Sequence, residues 1–511
     1  GYGFGNSSMA SFFARGTYNY DDRYLATYTY RYDGSSNFGP ENRWAGFHAI
    51  AASWRFSNEK FFEPIRNVIN NGKLRIGWGQ TGNANIGGYL WGSAISIMPT
   101  GLGMSYRPSN IANTGIKWES QEQINVGLDL SFFNDRINLT IDWYKKESKD
   151  MLMQLQLPSY MGTSGNVSSA LAAPWGNYGH IRNTGVEISL NTHPLIGAFQ
   201  WDSDFQISVN RNKLVALSRT SAAQIVGYGQ WSDVVTVTNV GESLYNFYGY
   251  VTDGVYKDLE DLQTSPKPAN SYPSNGVFNK NNTVWVGDIK YKDLNGDGII
   301  DENDRTNLGS PLPKFTFGWT NTFRYKNFDL SLFINGSVGN KVYNYLSMTL
   351  THMNSTWTNQ LTSVNNRAQL APIDASKDYS NGVNVNGTTV WHWYDDVTNV
   401  YVTNPNTSTP RATINDPNDN DRVSNRYIED GSYVRLKNIT LGYTFPKRLI
   451  SKWGIENLRL YANLQNLVTI TGYSGYDPEI GVSTSSANVM GLDNGRYPSP
   501  TVYSFGLNIS F

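Results

Sequence analysis

Residues 501–511 read Thr-Val-Tyr-Ser-Phe-Gly-Leu-Asn-Ile-Ser-Phe. Tyr503, Phe505, Leu507, Ile509 and Phe511 share one parity, and Ser504, Gly506, Asn508 and Ser510 share the other. Side chains alternate across a strand, so one face of this segment is wholly apolar and the other small or polar. Two architectures use such a strand. A soluble sheet would place it at an edge, with the apolar face on a core. A membrane-spanning barrel would turn the same face to lipid.

The pattern recurs throughout the chain. Phe12, Ala14, Gly16, Tyr18 and Tyr20 oppose Phe13, Arg15, Thr17 and Asn19. Tyr24 to Tyr32, Ile124 to Leu130, Ile137 to Trp143, Val186 to Leu190 and Phe205 to Val209 alternate likewise. So do Phe315 to Trp319, Phe328 to Ile334, Ile439 to Phe445 and Leu458 to Leu464. Period-2 alternation of this quality predicts half-buried strands. The only helices expected are short, such as Phe61–Asn70.

Composition narrows the choice. The chain has 511 residues, a formal net charge of −1 and 14% aromatic residues, including 33 Tyr and 15 Trp. Tyr and Trp in this abundance suit aromatic belts at membrane interfaces. Mean hydropathy is −0.45, which a barrel tolerates because its membrane signal lies in alternation. No apolar run is long enough for a transmembrane helix. The absence of Cys removes disulfide and thiolate chemistry. A near-neutral charge gives no support for nucleic-acid binding.

Connections favour the barrel. Short turns are expected near Asp21–Asp22, Asn134–Asp135, Pro194–Gly197 and Lys326–Asn327, with a longer one around Lys447–Glu456. Long segments lie at 82–117, 149–176, 212–313, 340–426 and 472–500. Short and long connections therefore alternate, as periplasmic turns and extracellular loops do in outer-membrane barrels. The expected fold is all-β, a transmembrane antiparallel barrel occupying 1–511 with roughly thirteen strands. Bacterial single-chain barrels have an even number, so an odd count predicts further strands upstream of Gly1.

One motif carries sharp chemistry. Asp293-Leu-Asn-Gly-Asp-Gly-Ile-Ile-Asp-Glu-Asn-Asp304 follows the calcium-loop spacing. Asp293, Asn295 and Asp297 supply oxygens at the first, third and fifth positions, and Gly298 allows the sharp turn at the sixth. Ile299 would offer its carbonyl, followed by Asp301 and Asp304. Asp304 is shorter than the usual Glu and reaches less easily for bidentate binding. No flanking helices are evident. The expectation is a Ca2+ loop without an EF-hand, against an Asx/Gly-rich turn that binds nothing.

Other constellations are weak. The five histidines, His48, His180, His193, His352 and His392, are scattered, so a zinc site or His-based catalysis is not expected. No GxSxG elbow occurs, and no catalytic set stands out, so no enzyme is expected. The acidic run Asn415–Asp421 reads as a solvated loop. Trp391-His-Trp-Tyr394 could stack on sugar rings or simply pack loops together.

Several blocks resemble the SusC-like (RagA-like) TonB-dependent transporters of Bacteroidetes outer membranes. They are Gly287–Arg305 with Leu308–Phe315, Tyr32–Pro40 with Arg43-Trp44 and Ser53–Arg55, Leu74–Asn83, Asn183–Glu187 and Tyr433–Tyr443. The resemblance covers nearly the whole chain, in the family's order. It implies a 22-stranded barrel around an N-terminal plug, which with its TonB box is not in these residues. It also implies a terminal Phe511 read as an assembly signal by the barrel assembly machinery, and a multi-pass position in outer-membrane lipid. A SusD-like surface lipoprotein would lid the barrel, and uptake of an oligosaccharide or peptide would be energised through TonB. Arg15, Asn125, Asp129 and Asn463 would line the lumen. Two readings stay open beside it, a passive porin or structural barrel and a secreted calcium-binding, glycan-binding β-protein.

Overall fold

The computed structural model describes residues 7–154, 171–217, 224–230, 233–273, 276–354, 357–481 and 488–511. Much of the expected 149–176 connection, and smaller parts of 212–313, 340–426 and 472–500, lie outside them. The principal sheet has thirteen antiparallel strands. They are β1 Met9–Tyr20, β2 Tyr24–Ser35, β3 Trp44–Trp54, β4 Ile69–Asn83, β5 Glu119–Phe132, β6 Ile137–Gln154 and β7 Trp175–Ile196. β8 Phe199–Ala216, β9 Phe315–Tyr325, β10 Phe328–Val338, β11 Tyr433–Thr444, β12 Asn457–Thr471 and β13 Val502–Ser510 complete it. Each strand pairs with the next in sequence, so the sheet is an uninterrupted meander whose outer edges are β1 and β13.

Short turns fall where the sequence places them at Asp21–Asp22, Asn134–Asp135 and Lys326–Asn327, whereas the one expected at Pro194–Gly197 is corrected to 197–198, because β7 continues through Ile196. Asp21 and Asp22 adopt φ of 54° and 52°, Asn134 and Asp135 φ of 56° and 64°, and Lys326 φ of 52°. Positive φ at both turn residues matches the right-handed twist of a hairpin, and Asp and Asn tolerate it better than most side chains. The expected helix at Phe61–Asn70 is corrected. A 3₁₀ helix spans Lys60–Ile65 with Pro64 inside it, and β4 begins at Ile69. Glu59, just before it, is bonded by Arg23, Tyr24 and Trp54, which ties this turn to the ends of β2 and β3.

The wall has no core of its own. Its apolar parity points outward and is exposed, with Phe12 at 65%, Ile76 at 56% and Phe505 at 84%. Exposed apolar surface on this scale is unusual for a soluble protein and marks an interface. No helix of the described residues is long and apolar enough to cross a membrane.

Buried apolar clusters lie instead in the long connections. Tyr256, Leu262, Trp285, Val286, Ile289, Tyr291 and Val400 pack together from 212–313 and 340–426. Val235, Phe247, Tyr343, Tyr427, Val489 and Leu492 form a second cluster that adds 472–500. Phe38, Phe47, Ile116 and Trp118 form a third over the β2–β5 end of the wall. The long connections thus build a cap at one end of the sheet, while the other end carries tight turns and short helical segments.

Candidate functional site

The acidic loop is folded tightly on itself. Asp293 accepts from the backbone N–H of Gly296 at 2.6 Å and of Gly298 at 2.8 Å. Asn295 accepts from Asp297 N–H, and Asp297 from Ile299 N–H. Gly296 and Gly298 hold φ of 79° and 83°, where a side chain would be strained. Those N–H bonds, Gly298 foremost, hold the Asp293 carboxyl below its ordinary value. Asp301 and Asp304 form a capping box on the 3₁₀ helix Glu302–Asp304. Asp304 is fully buried and also accepts from Leu294 N–H at 2.8 Å, which ties the twelfth position to the second. The carboxylates serve backbone donors in this structure.

Convergence of ligand-type side chains occurs elsewhere. Among the described residues, the one group of three His, Asp or Glu whose ligand atoms lie within 4.8 Å of one another is His352, Asp416 and Asp421. His352 follows helix α1, Tyr345–Thr351. Its Nε2 lies 3.3 Å from Asp416 and its Nδ1 2.8 Å from Asp421. Burial alone would lower the imidazole pKa, but the two carboxylates outweigh it and raise it to about 9. With a carboxylate on each ring nitrogen, His352 is an imidazolium at neutral pH.

That cation ends a longer network. Arg411 donates to Asp288 at 2.7 Å, with both side chains buried. Asn420 donates to Asp288 at 3.2 Å and to Asp416 at 2.6 Å, and accepts from Ile289 N–H at 2.7 Å. Asn418 donates to the Ile289 carbonyl at 2.8 Å. The run 415–421 is therefore a half-buried strap, with Asn418 and Asn420 inside and Asn415 and Asp419 exposed, and the solvated-loop expectation is corrected for its two inner asparagines. Ile289 presents its N–H and carbonyl along this edge, and the Asn420 and Asn418 side chains satisfy them. Burial raises the Asp288 pKa against the pull of Arg411.

Beside this network lies a cavity of 680 Å³ lined by Asp233, Tyr250, Glu302, Arg305, His352, Asp421 and Arg422, among others. The Arg422 and Arg305 guanidiniums sit 5.2 and 5.9 Å from the Tyr250 ring centre. Burial raises the Asp233 carboxyl, and burial with the Asp421 charge raises Asp419. Alternating cations and carboxylates around an aromatic face suit a polar ligand with many hydroxyls or amides. Of the aromatic run, Trp393 packs on the larger cap cluster, while Trp391 stays 57% exposed.

Of the expected lumen residues, Asp129 is held by Arg75 through bonds of 2.7 and 2.8 Å, and Arg75 also reaches Asp142 at 3.0 Å. A Cβ on the intervening Gly127 would meet Asp142 at 2.4 Å and Arg75 at 2.6 Å, so a larger residue there would make the arginine or the aspartate shift. The same holds for Gly442 beneath Arg459 and Asp329. Asn125 accepts from Gln123. Arg15 lies exposed on β1, and Asn463 sits on β12 without joining either cluster. His352, Asp288 and Arg411 escaped the sequence reading, because partners 64 and 123 residues apart leave no local spacing.

Comparison with known proteins gives a consistent result. The family model described as TonB dependent receptor-like, beta-barrel matches residues 2–278. TonB-dependent receptor P3 of Formosa agariphila is 32% identical over 99% of this chain, which covers 46% of that receptor. TonB-dependent receptor SusC of Bacteroides thetaiotaomicron is 28% identical over 99% of this chain and 44% of its own length. A solved structure of the RagAB peptide transporter superposes with a TM-score of 0.74 at 21% identity, covering 99% of this chain and 48% of that one. The chain spans about half the length of the curated relatives it matches.

Proposed function

The chain belongs to the TonB-dependent receptor-like β-barrel family, whose members cross the outer membrane with strands, and on that premise we propose that it forms the wall and cap of an active nutrient importer. The family is one of transporters rather than enzymes. The observation that carries the reading is the division of the molecule into an apolar-outward wall without a core and a cap with one. Such a wall holds its position in lipid, and such a cap presents a rigid surface to the outside. The unpaired edges at β1 and β13 support further strands, contributed by the rest of the polypeptide and closing a 22-stranded barrel around a plug. TonB would pull that plug, and a SusD-like lipoprotein would lid the cap.

The transported nutrient is an oligosaccharide or peptide. The mixed-charge cavity around Tyr250, His352 and Arg422 supports either, since both present hydroxyl or amide groups to paired ions. The experiment is direct. Full-length receptor in planar bilayers is expected to show no steady conductance, and cells lacking TonB should lose uptake as completely as cells lacking the receptor. Steady open-pore conductance or TonB-independent uptake would favour the passive porin.

Calcium at Asp293, Asn295, Asp297, Ile299, Asp301 and Asp304 is part of the proposal. Its support is the twelve-position spacing and the two left-handed glycines. The ion would brace the loop and take no part in chemistry. Chelation is expected to raise protease cleavage between Asp293 and Asp304. Equal cleavage with and without calcium would leave the loop a turn held by its own N–H bonds.

A further inference from the structure

Outward positions on four neighbouring strands change character together. On β6, Ile137, Leu139, Ile141 and Trp143 are followed on the same parity by Lys145, Glu147 and Lys149. On β7, Leu190, Ile188 and Val186 give way to Thr184 and Arg182, and on β8, Phe205, Ile207 and Val209 to Arg211 and Lys213. On β5, Ile124 gives way to Glu122. Register aligns these switches. Glu122 faces Glu147, Glu147 faces Arg182, and Arg182 faces Lys213. One row nearer the apolar band, Ile124 faces Lys145, Lys145 faces Thr184, and Thr184 faces Arg211.

Five cations, Lys145, Lys149, Arg182, Arg211 and Lys213, thus share a patch with two carboxylates, Glu122 and Glu147. The two acids are already engaged. Glu147 binds Arg182 at 2.6 Å and Lys145 at 3.3 Å, and Glu122 binds Lys149 and the Trp78 indole. Among the described residues Arg211 donates to the backbone carbonyls of Asn210 and Lys314 alone, and both Arg211 and Lys213 are exposed. The patch adjoins the apolar band at the end where the long connections lie. The opposite arc differs, since the outward positions there stay apolar to the rim at Val434 and Leu436 on β11 and Val468 and Ile470 on β12.

We propose that this arc of the wall binds a phosphorylated lipid headgroup of the outer leaflet, with Arg211 and Lys213 as its free cations and Arg182 and Lys145 completing the site. The inference rests on the outer-membrane placement of the wall. Position supports it, because cations bordering an apolar band lie at headgroup depth, where basic clusters attract anionic lipid. Charge supports it too, because among the described residues no carboxylate pairs with Arg211 or Lys213.

The test uses the full-length receptor in detergent, titrated with diphosphoryl lipid A and followed by native mass spectrometry. The variants are the double substitution Arg211→Glu with Lys213→Glu, Lys213→Glu alone, and Arg448→Glu in the turn at the other end as control. The double variant is expected to bind the lipid roughly thirtyfold more weakly, at the scale of about 1 kcal/mol for each of two basic residues near a charged membrane surface. The single variant should fall between, and the control should match the parent. Equal binding in the double variant, equal binding of dephosphorylated lipid, or displacement by millimolar inorganic phosphate alone would each overturn the assignment. Heat-modifiable gel mobility of the same samples reports the folded barrel separately, so its loss in the parent receptor would count against the barrel reading instead.

Discussion

Wall and cap are built from one chain by opposite rules. In the wall, apolar side chains face out, polar ones face in, and neighbours in space are neighbours in sequence. In the cap, apolar side chains face a shared interior, and buried polar groups are satisfied by partners more than a hundred residues away. The wall depends on lipid to cover its apolar face, whereas the cap covers its own. A substitution should therefore be read by its region. An exposed leucine in the wall is under strong constraint, and a buried arginine in the cap is a structural element.

The comparison breaks most visibly at Arg411. Arg411→Ala strands the fully buried Asp288 and leaves Asn420 with a mispaired neighbour, and a loss of about 3–5 kcal/mol is expected. Limited proteolysis should show the cap opening while heat-modifiable mobility of the wall persists. Simultaneous loss of both would mean that wall and cap fold as one unit.

The counterpart in the wall is Leu128→Arg, at the middle of the outward row of β5. Lipid exposure predicts a cost of about 2–4 kcal/mol, measured by unfolding from lipid vesicles. A soluble sheet face would tolerate the arginine, so an unchanged transition would argue against lipid contact there.

Acidity sharpens the boundary between the two regions. The His352 pKa is raised from 6.5 to about 9, so its contribution is fully present below pH 6.5 and is lost as pH rises through about 9. Burial works against Asp421, but its bond to His352 wins and lowers its pKa, so that share is lost at the acid end, as pH falls through its depressed value. The effect amounts to up to about 3 kcal/mol shared among the three groups. Cap proteolysis is expected to accelerate above pH 9 in the parent protein and to lose that dependence in His352→Gln. A parent profile flat from pH 7 to 10 would remove the imidazolium from the account.

The smallest effect belongs to the inner wall. Gly127→Val pushes Arg75 off Asp142, and overpacking of this kind costs about 1–3 kcal/mol. Gly16→Val on the outward face of β1 meets nothing within 4 Å and is expected to be neutral, as followed by thermal unfolding in detergent.

The sequence by itself determined the wall. Period-2 alternation is a local property, so the outward faces of eleven of the thirteen strands, a count of roughly thirteen, the tight turns at Asp21–Asp22 and Asn134–Asp135, and the alternation of short and long connections were legible from neighbouring residues. The acidic run Asn415–Asp421 was visible too, but the burial of Asn418 and Asn420 was not, because it depends on the N–H and carbonyl that distant Ile289 presents. Only the tertiary structure decided the cap. His352 meets Asp416 across 64 residues and Arg411 meets Asp288 across 123, distances at which no spacing rule survives. The same holds for the basic arc, because Lys145, Arg182 and Lys213 are unremarkable singly. They become one patch only through strand register, which places residues far apart in the chain side by side about 5 Å apart.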